Sequence, residues 1–251
     1  MLTQGRDGAT VILTLDYPAR RNALAMPMRQ GLIDAFETME SDGTIKAVVL
    51  TGAGGMFCAG GDISGMDSND LLAGRERFRI THRLVRLLIK SRLPVIAAIE
   101  GHAVGAGLSL ALCCDTIVAA TDAKLAAGFG RVGLIADLGL LHTLPARIGQ
   151  GRARQVFLYG ETITGDAAER IGLVDHITPK GEALAVALDR ARTFAKAAPI
   201  PIALTKQYLA AGLDAALDWE REVQSSLFQT ADHAEGRAAF LEKRAPSFNG
   251  R

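Results

Sequence analysis

The chain has 251 residues, 49% of them hydrophobic and 22% charged, with a formal net charge of +1. That length can bury a sizeable core in one large domain or two smaller ones, and the near-neutral balance gives no electrostatic reason to expect a nucleic-acid or anionic-membrane partner. Cys58, Cys113 and Cys114 are an odd number of thiols in apolar surroundings, which reads as reduced core cysteines and not as a disulfide framework or a metal site. No signal-peptide pattern opens the sequence. The longest apolar run is broken by Glu100 and Asp115, so no bilayer span is expected. A cytoplasmic protein is the expectation.

Thr10 to Asp16 alternates like a strand and is broken by Tyr17-Pro18. Met28, Leu32, Ala35, Phe36 and Met39 recur at helical spacing, so an amphipathic helix is predicted from Pro27 to Met39. Lys46 to Leu50 is a buried strand ending in Thr51-Gly52-Ala53-Gly54-Gly55. That turn is not a nucleotide site. Phe57 stands where the dinucleotide pattern needs its third glycine, and no Lys-Ser/Thr follows as a phosphate loop would need. A second Gly-rich turn, Met56 to Ile63, leads to a long arginine-rich helix from Asp70 to Lys90, with Leu84, Leu87 and Leu88 on one side.

Pro94 to Ile99 is a β-branched apolar run that reads as a strand buried on both faces. Gly101, Gly105 and Gly107 follow it, then an apolar helix from Leu108 to Cys114 with almost no polar face, which must be buried. A buried helix start brings free backbone N–H groups into the interior, where they favour anions and developing negative charge. Thr116 to Ala120 is another buried strand. Ala123 to Leu141 is apolar and punctuated by glycine, with Arg131 and Asp137 its charges after Lys124. Helices are predicted at Leu141 to Arg147, Gly151 to Leu158 and Gly165 to Glu169. Beyond residue 180 the pattern is helical: Glu182 to Ala198, Pro201 to Ala211, Asp214 to Thr230 and Ala234 to Lys243. The expected class is α/β, with a core over residues 1–180 and a helical C-terminal subdomain over residues 181–251.

Phe57-Cys58-Ala59-Gly60-Gly61-Asp62-Ile63 resembles the FxAGxDI signature of the crotonase (enoyl-CoA hydratase/isomerase) superfamily. Pro94 to Gly107 resembles its PVIAAxxGxAxGxG signature. Gly133-Leu134-Ile135-Ala136-Asp137 is similar to its GLxPD segment, with Ala136 where proline is common. Leu144 to Gly149 is similar to its LPRxxG segment, and Arg20-Arg21-Asn22-Ala23-Leu24 to its N-terminal loop. Phe240-Leu241-Glu242-Lys243-Arg244 with Pro246 and Phe248 follows its C-terminal pattern. The resemblance runs in order through nearly the whole chain. It implies a spiral of ββα repeats followed by helices that form trimer contacts and a lid over the site. It also implies assembly as trimers or dimers of trimers, and an acyl-coenzyme A thioester as substrate, with coenzyme A present as part of that substrate and no further cofactor or metal.

By the same resemblance, the backbone N–H groups of Gly61 and Ala106 would form an oxyanion hole for the thioester oxygen. The coenzyme A and acyl parts would lie along Arg20, Arg21, Ala23, Ala59 and Asp62, and along Ile63, Gly105, Ser109, Phe240 and Lys243. The arginines and Lys243, the latter from a neighbouring subunit, would face phosphates. Fixed amides aimed at a developing enolate lower its barrier without reorganising.

Hydratases of this family use two glutamates. The first position is Ser109 here, and the second falls around Gly128-Phe129-Gly130, where no acid stands. Asp137 remains as a lone carboxylate among apolar residues. Burial would raise its pKa toward that of a useful base, although a helix cap at Leu138 to Arg147 is the commoner role for such an Asp. Resemblance to single-acid isomerases, including those of the phenylacetate pathway, favours double-bond isomerisation with Asp137 shuttling a proton between C2 and C4. The alternatives are a weak hydratase, an aryl-CoA dehalogenase-like enzyme with Asp137 as nucleophile and His82 as partner, and a non-catalytic acyl-CoA-binding paralog. His82, on an arginine-rich helix, reads as a surface residue. Glu100 and His102 have no clear role, and residues 64–79 are expected to shape the acyl pocket.

Overall fold

The computed structural model describes residues 1–66 and 70–251. In chain order it contains β1 (Leu2–Asp7), β2 (Thr10–Leu15), α1 (Met26–Ser41), β3 (Ala47–Gly52), α2 (Leu71–Lys90), β4 (Val95–Ile99), β5 (His102–Val104), α3 (Ala106–Leu112), β6 (Thr116–Ala120) and β7 (Lys124–Ala126). Then follow α4 (Leu140–Tyr159), β8 (Ile163–Thr164), α5 (Gly165–Arg170), β9 (His176–Thr178), α6 (Ala183–Arg192), α7 (Pro199–Leu209), α8 (Leu213–Leu227) and α9 (Ala231–Glu242). No helix among the described residues is long and apolar enough to cross a membrane.

Six strands form one sheet in the order β1-β2-β3-β4-β6-β9, and β5-β7-β8 form a second. From β2 onward the large sheet is parallel, and β1 is antiparallel to β2. The chain repeats one move. A strand is laid in the large sheet (β4, then β6), a short strand in the small sheet (β5, then β7), and a helix follows (α3, then α4). The first turn of this spiral has only a single bridge, Cys58 against Ala103, in place of its short strand. This is the expected spiral of ββα units.

Side chains of the parallel strands alternate between two covered faces. Val48, Leu50, Val95, Ala97, Ile99 and Ile117 join the main core with α1, α2 and α3. Ala47, Val49, Ile96, Ala98 and Val118 face Ala183, Ala187 and Ala191 of α6, whose small side chains at helical spacing let the helix lie close on the sheet. The first helix after residue 180 thus covers one face of the sheet. The remaining C-terminal helices lie elsewhere: α8 packs along α2, and α9 packs on the turns at residues 63–65 and 129–132.

Several local boundaries differ from expectation. β1 lacks the alternation of a half-buried strand, because it is an edge whose middle residues are exposed. The two helices predicted either side of Gly149 form one span, α4, kinked where Gly149 leaves helical geometry. The helix expected from Glu182 to Ala198 ends at Arg192 and finishes as a single 3-10 turn.

Candidate active site

The two Gly-rich turns are joined through their backbones. The Cys58 N–H donates to the His102 carbonyl (2.9 Å), and the Val104 N–H donates to the Cys58 carbonyl (3.1 Å). α3 begins immediately afterwards and packs so closely that a Cβ on Gly107 would lie 2.2 Å from the Cys58 carbonyl oxygen. Only glycine permits that approach. Asn22, fully buried, fixes the outer side of this region: its Oδ1 accepts from the Tyr17 N–H, and its Nδ2 donates to the Ala53 and Met56 carbonyls. The Leu24 N–H then donates to the Gly60 carbonyl (2.8 Å).

The result places Gly61 beside Ala106, with 4.0 Å between an ideal Cβ on Gly61 and the Ala106 methyl. Ala106 is the first residue of α3, where an N–H has no intrahelical acceptor. Among the described residues, neither the Gly61 nor the Ala106 amide donates a hydrogen bond to an acceptor of the protein. Both residues line a cavity of about 260 Å³ together with Ala59, Gly60, Gly105 and Asp137. Its apolar wall includes Ile63, Met66, Phe129, Val132, Leu134 and Phe240, and Arg131 and Thr162 add polar groups. A groove of about 460 Å³ along Tyr159, Arg244 and Phe248 shares Gly128, Arg131 and Phe240 with the cavity.

Asp137 sits in the loop before α4. It does not cap that helix: Gly139 occupies the N-cap position, with no side-chain cap. The loop passes through two successive left-handed residues, Leu138 (φ 52°) and Gly139 (φ 73°), a conformation that costs a leucine energy and must be held by its surroundings. One face of α8 provides the hold. The Gln224 side chain accepts from the Ile135 N–H (3.1 Å) and donates to the Ile135 carbonyl (2.9 Å). Glu220 Oε2 accepts from the Gly139 N–H (2.8 Å), and Glu220 Oε1 shares a 2.8 Å hydrogen bond with His82 Nε2.

The expectation that His82 is a surface residue is therefore corrected. His82 lies on the inward face of α2, buried with Phe78, Thr81 and Val85, and Glu220 is its partner. Arg29 of α1 completes the polar layer. Its Nε donates to the Leu24 carbonyl (3.1 Å), and its guanidinium also bonds the Thr81 hydroxyl. Burial, with Arg77 adding to it, pushes Arg29 down to about 10. Asp137 is pushed up to about 7, chiefly by burial and next by the Glu220 charge. Arg29, Arg77 and the Gln224 side chain oppose the rise. The Asp137 Oδ1 is buried and has no hydrogen-bond partner among the described residues. A carboxyl of this kind, sharing a small apolar cavity with the Gly61 and Ala106 amides, can exchange a proton with a bound molecule near neutral pH.

Of the other residues singled out in the sequence, Ala59, Ile63, Gly105 and Phe240 line the cavity. Ala23 is buried just behind the first turn. Asp62 is turned to its own loop and accepts from the Ser64 N–H and hydroxyl. Ser109 is fully buried and donates to the Gly105 carbonyl (3.3 Å), the back-bonding geometry of a helical serine. Arg20 and Arg21 are exposed on the loop whose Arg21 carbonyl accepts from the Ala59 N–H (3.0 Å). Lys243 is exposed at the C-terminal end of α9 and does not line the cavity. Glu100 caps the start of α6, accepting from the Gly181 and Ala183 N–H groups at 3.0 Å. The segment expected to shape the acyl pocket contributes Met66, and residues 67–69 of it lie outside the described residues.

The sequence reading missed Glu220, Gln224 and Arg29. A signal was present in each case: a charged or amide residue at a core position of an amphipathic helix. Glu220 and Gln224 continue the buried row of Leu213 and Leu217, and Arg29 lies among Met28, Leu32, Ile33 and Phe36.

Residues 5–251 match the enoyl-CoA hydratase/isomerase family. The chain is 35% identical over 254 residues to a 2,3-dehydroadipyl-CoA hydratase of Escherichia coli K12, covering 100% of this chain and 99% of that protein. It is 36% identical over 249 residues to a 1,2-epoxyphenylacetyl-CoA isomerase of the same organism, covering 95% and 94%. The fold is similar to the crystal structure of an enoyl-CoA hydratase from Mycobacterium avium subsp. paratuberculosis K-10, with a TM-score of 0.89 at 30% identity, covering 99% of this chain and 98% of the other. Matched along almost its whole length in sequence and in fold, the chain is an enzyme of the enoyl-CoA hydratase/isomerase family.

Proposed function

We propose that the protein is an enoyl-CoA isomerase. The observation that carries this reading is the position of Asp137: it is the one carboxyl among the described residues that line the cavity, and it shares that cavity with Gly61 and Ala106. The thioester oxygen of a 3-enoyl-CoA would accept from the Gly61 and Ala106 N–H groups. The Asp137 carboxylate takes a proton from C2, and the electron pair moves toward the thioester oxygen to give a dienolate. The two amides stabilise that charge; loss of one such donor typically costs about 2.7–4 kcal/mol. The protonated Asp137 then returns the proton to C4, and the double bond comes to lie between C2 and C3. No redox change occurs and no other reactant is consumed.

Water addition by the two-glutamate route is disfavoured because Ser109 is bonded back into its helix and no acid stands around Gly128-Phe129-Gly130, where the second would fall. Arg20 and Arg21 would meet the coenzyme A phosphates, and Lys243 would do so from a neighbouring subunit. Assembly into homotrimers, or dimers of trimers, is part of the same proposal. It is supported by the row Ile200, Leu204 and Tyr208 on α7, exposed by 71%, 58% and 80%.

The test is turnover of a panel of 3-enoyl-, 2-enoyl- and aryl-CoA thioesters in deuterated water. Double-bond migration with exchange at C2 and C4 supports the isomerase. Halide release would identify a dehalogenase, rapid hydration a hydratase, and silence across the panel a binding protein.

A further inference from the structure

Asp137 lies midway between the two residues that α8 grips. Gln224 holds both backbone polar groups of Ile135 on one side of it, and Glu220 holds the N–H of Gly139 on the other. Glu220 and Gln224 are one helical turn apart and both buried, so a single helix face spans the loop. These bonds secure a stretch whose Leu138 and Gly139 adopt left-handed geometry. Glu220 is itself tied to His82 on α2. The carboxylate of Glu220 is thus placed in the same dry layer as Asp137, where charges interact strongly.

We propose that Glu220 and Gln224 are positioning residues for Asp137: Gln224 fixes the loop that carries it, and Glu220 both fixes that loop and sets a negative charge beside the acid. This deepens the isomerase reading and rests on it for its catalytic meaning. A base that must take and return a proton works best when its proton affinity lies near the working pH. Every charged group facing the pair has a definite effect. Glu220 of α8 favours the protonated Asp137, and Arg29 of α1 and Arg77 of α2 favour the carboxylate, as does the Gln224 amide. Asp62 faces Arg77, His82 bonds Glu220, and the Cys113 thiol also feels the Glu220 charge.

The test follows the Asp137 carboxyl itself. Its carboxylic C=O stretch is monitored by infrared spectroscopy against pH and assigned by its loss in Asp137→Asn. In Glu220→Gln the titration midpoint is expected to fall by on the order of one pH unit. In Gln224→Leu it is expected to rise, since the amide that favours the carboxylate is lost, and kcat is expected to drop about 10- to 100-fold with little change in KM. Residues that merely stabilise the fold would lower the folded fraction and leave the midpoint of the folded protein in place. Unchanged midpoints in the folded variants overturn the proposal. If Glu220→Gln fails to fold, Gln224→Leu decides by the same readout. If both midpoints move as expected while the wild-type enzyme isomerises no enoyl-CoA, the positioning stands and the isomerase reading fails.

Discussion

Gly61 and Ala106 line the same cavity, and a Cβ built on Gly61 would lie 4.0 Å from the Ala106 methyl. They come from different turns of the spiral, and the bridge between Cys58 and Ala103 brings them together. The packing of the two turns can be tested by adding a methyl group at Gly61 and, separately, at Gly107.

At Gly61 the added Cβ would meet the Met66 Cε at 2.7 Å, the far end of a flexible side chain. At Gly107 it would meet the Cys58 backbone, with the carbonyl oxygen at 2.2 Å. Gly61→Ala is expected to fold with a loss of about 1 kcal/mol and a narrowed cavity. Gly107→Ala is expected to lose about 3 kcal/mol or more, because backbone cannot step aside. Urea denaturation separates the two, and equal stabilities would contradict the packing described.

Asp137→Asn keeps the shape of the side chain and removes its proton chemistry. Isomerisation is expected to fall about 10²–10⁴-fold, the usual contribution of a general base, while acyl-CoA binding measured by calorimetry stays within a few-fold of wild type. Retained turnover in this variant would remove Asp137 from the reaction.

The pH dependence has a definite sign. With Asp137 titrating at about 7 in the folded enzyme, the rate of proton removal from C2 rises with pH and levels off above that value. Stability runs the other way. The folded state holds the proton more tightly than the unfolded chain, whose Asp titrates near the ordinary value of 3.8. The unfolded chain therefore binds fewer protons between those two values, and stability declines as pH rises through that window. Asp137→Asn, which has no charge to bury, is expected to exceed wild type in stability by on the order of 2–4 kcal/mol at pH 8, with the gap closing toward pH 4. Thermal melts at both pH values check this, and an unchanged gap would refute it.

Hydration of crotonyl-CoA is expected to run at least about 100-fold slower than isomerisation of a matched 3-enoyl-CoA, since by the family resemblance Ser109 stands at the first acid position and no acid stands around Gly128-Phe129-Gly130. Absorbance of the conjugated thioester follows both reactions. A hydration rate equal to the isomerisation rate would show that another group activates the water.

Leu204 lies at the centre of the exposed row on α7. A charge there should oppose burial in an oligomer, because an unpaired charge is costly to desolvate. Sedimentation is expected to show trimers or hexamers for wild type and monomers for Leu204→Asp, and a monomeric wild type would disprove the assembly.

The parts of the molecule that obey a local rule could be read from the sequence. Val95 to Ile99 had to be buried because its apolar run has no polar face, and Ala106 to Leu112 had to be a buried helix for the same reason. The turns at Gly61 and Ala106 were visible through their glycines. The surroundings of Asp137 were not, because they depend on a contact between a loop and a helix far apart in sequence. Nothing local distinguishes the Glu220 that bonds His82 from the exposed Glu222 that pairs with Arg75; only their phase on α8 does. The packing of α6 on the sheet was hidden similarly, since its Ala183, Ala187 and Ala191 face is too small to look like a core stripe.

The grip of α8 on the Asp137 loop also has a consequence for the order in which the enzyme matures. On a ribosome, the turns carrying Gly61 and Ala106 emerge early and can join through Cys58 and Ala103 while most of the C-terminal half is still unmade. Asp137 follows soon after, but Glu220 and Gln224 come from near the end of the chain. Until they arrive, the loop lacks its anchor and the acid lacks its neighbouring charge. A nascent chain that has not yet reached α8 would hold the two Gly-rich turns together while leaving the Asp137 loop without the bonds that fix it.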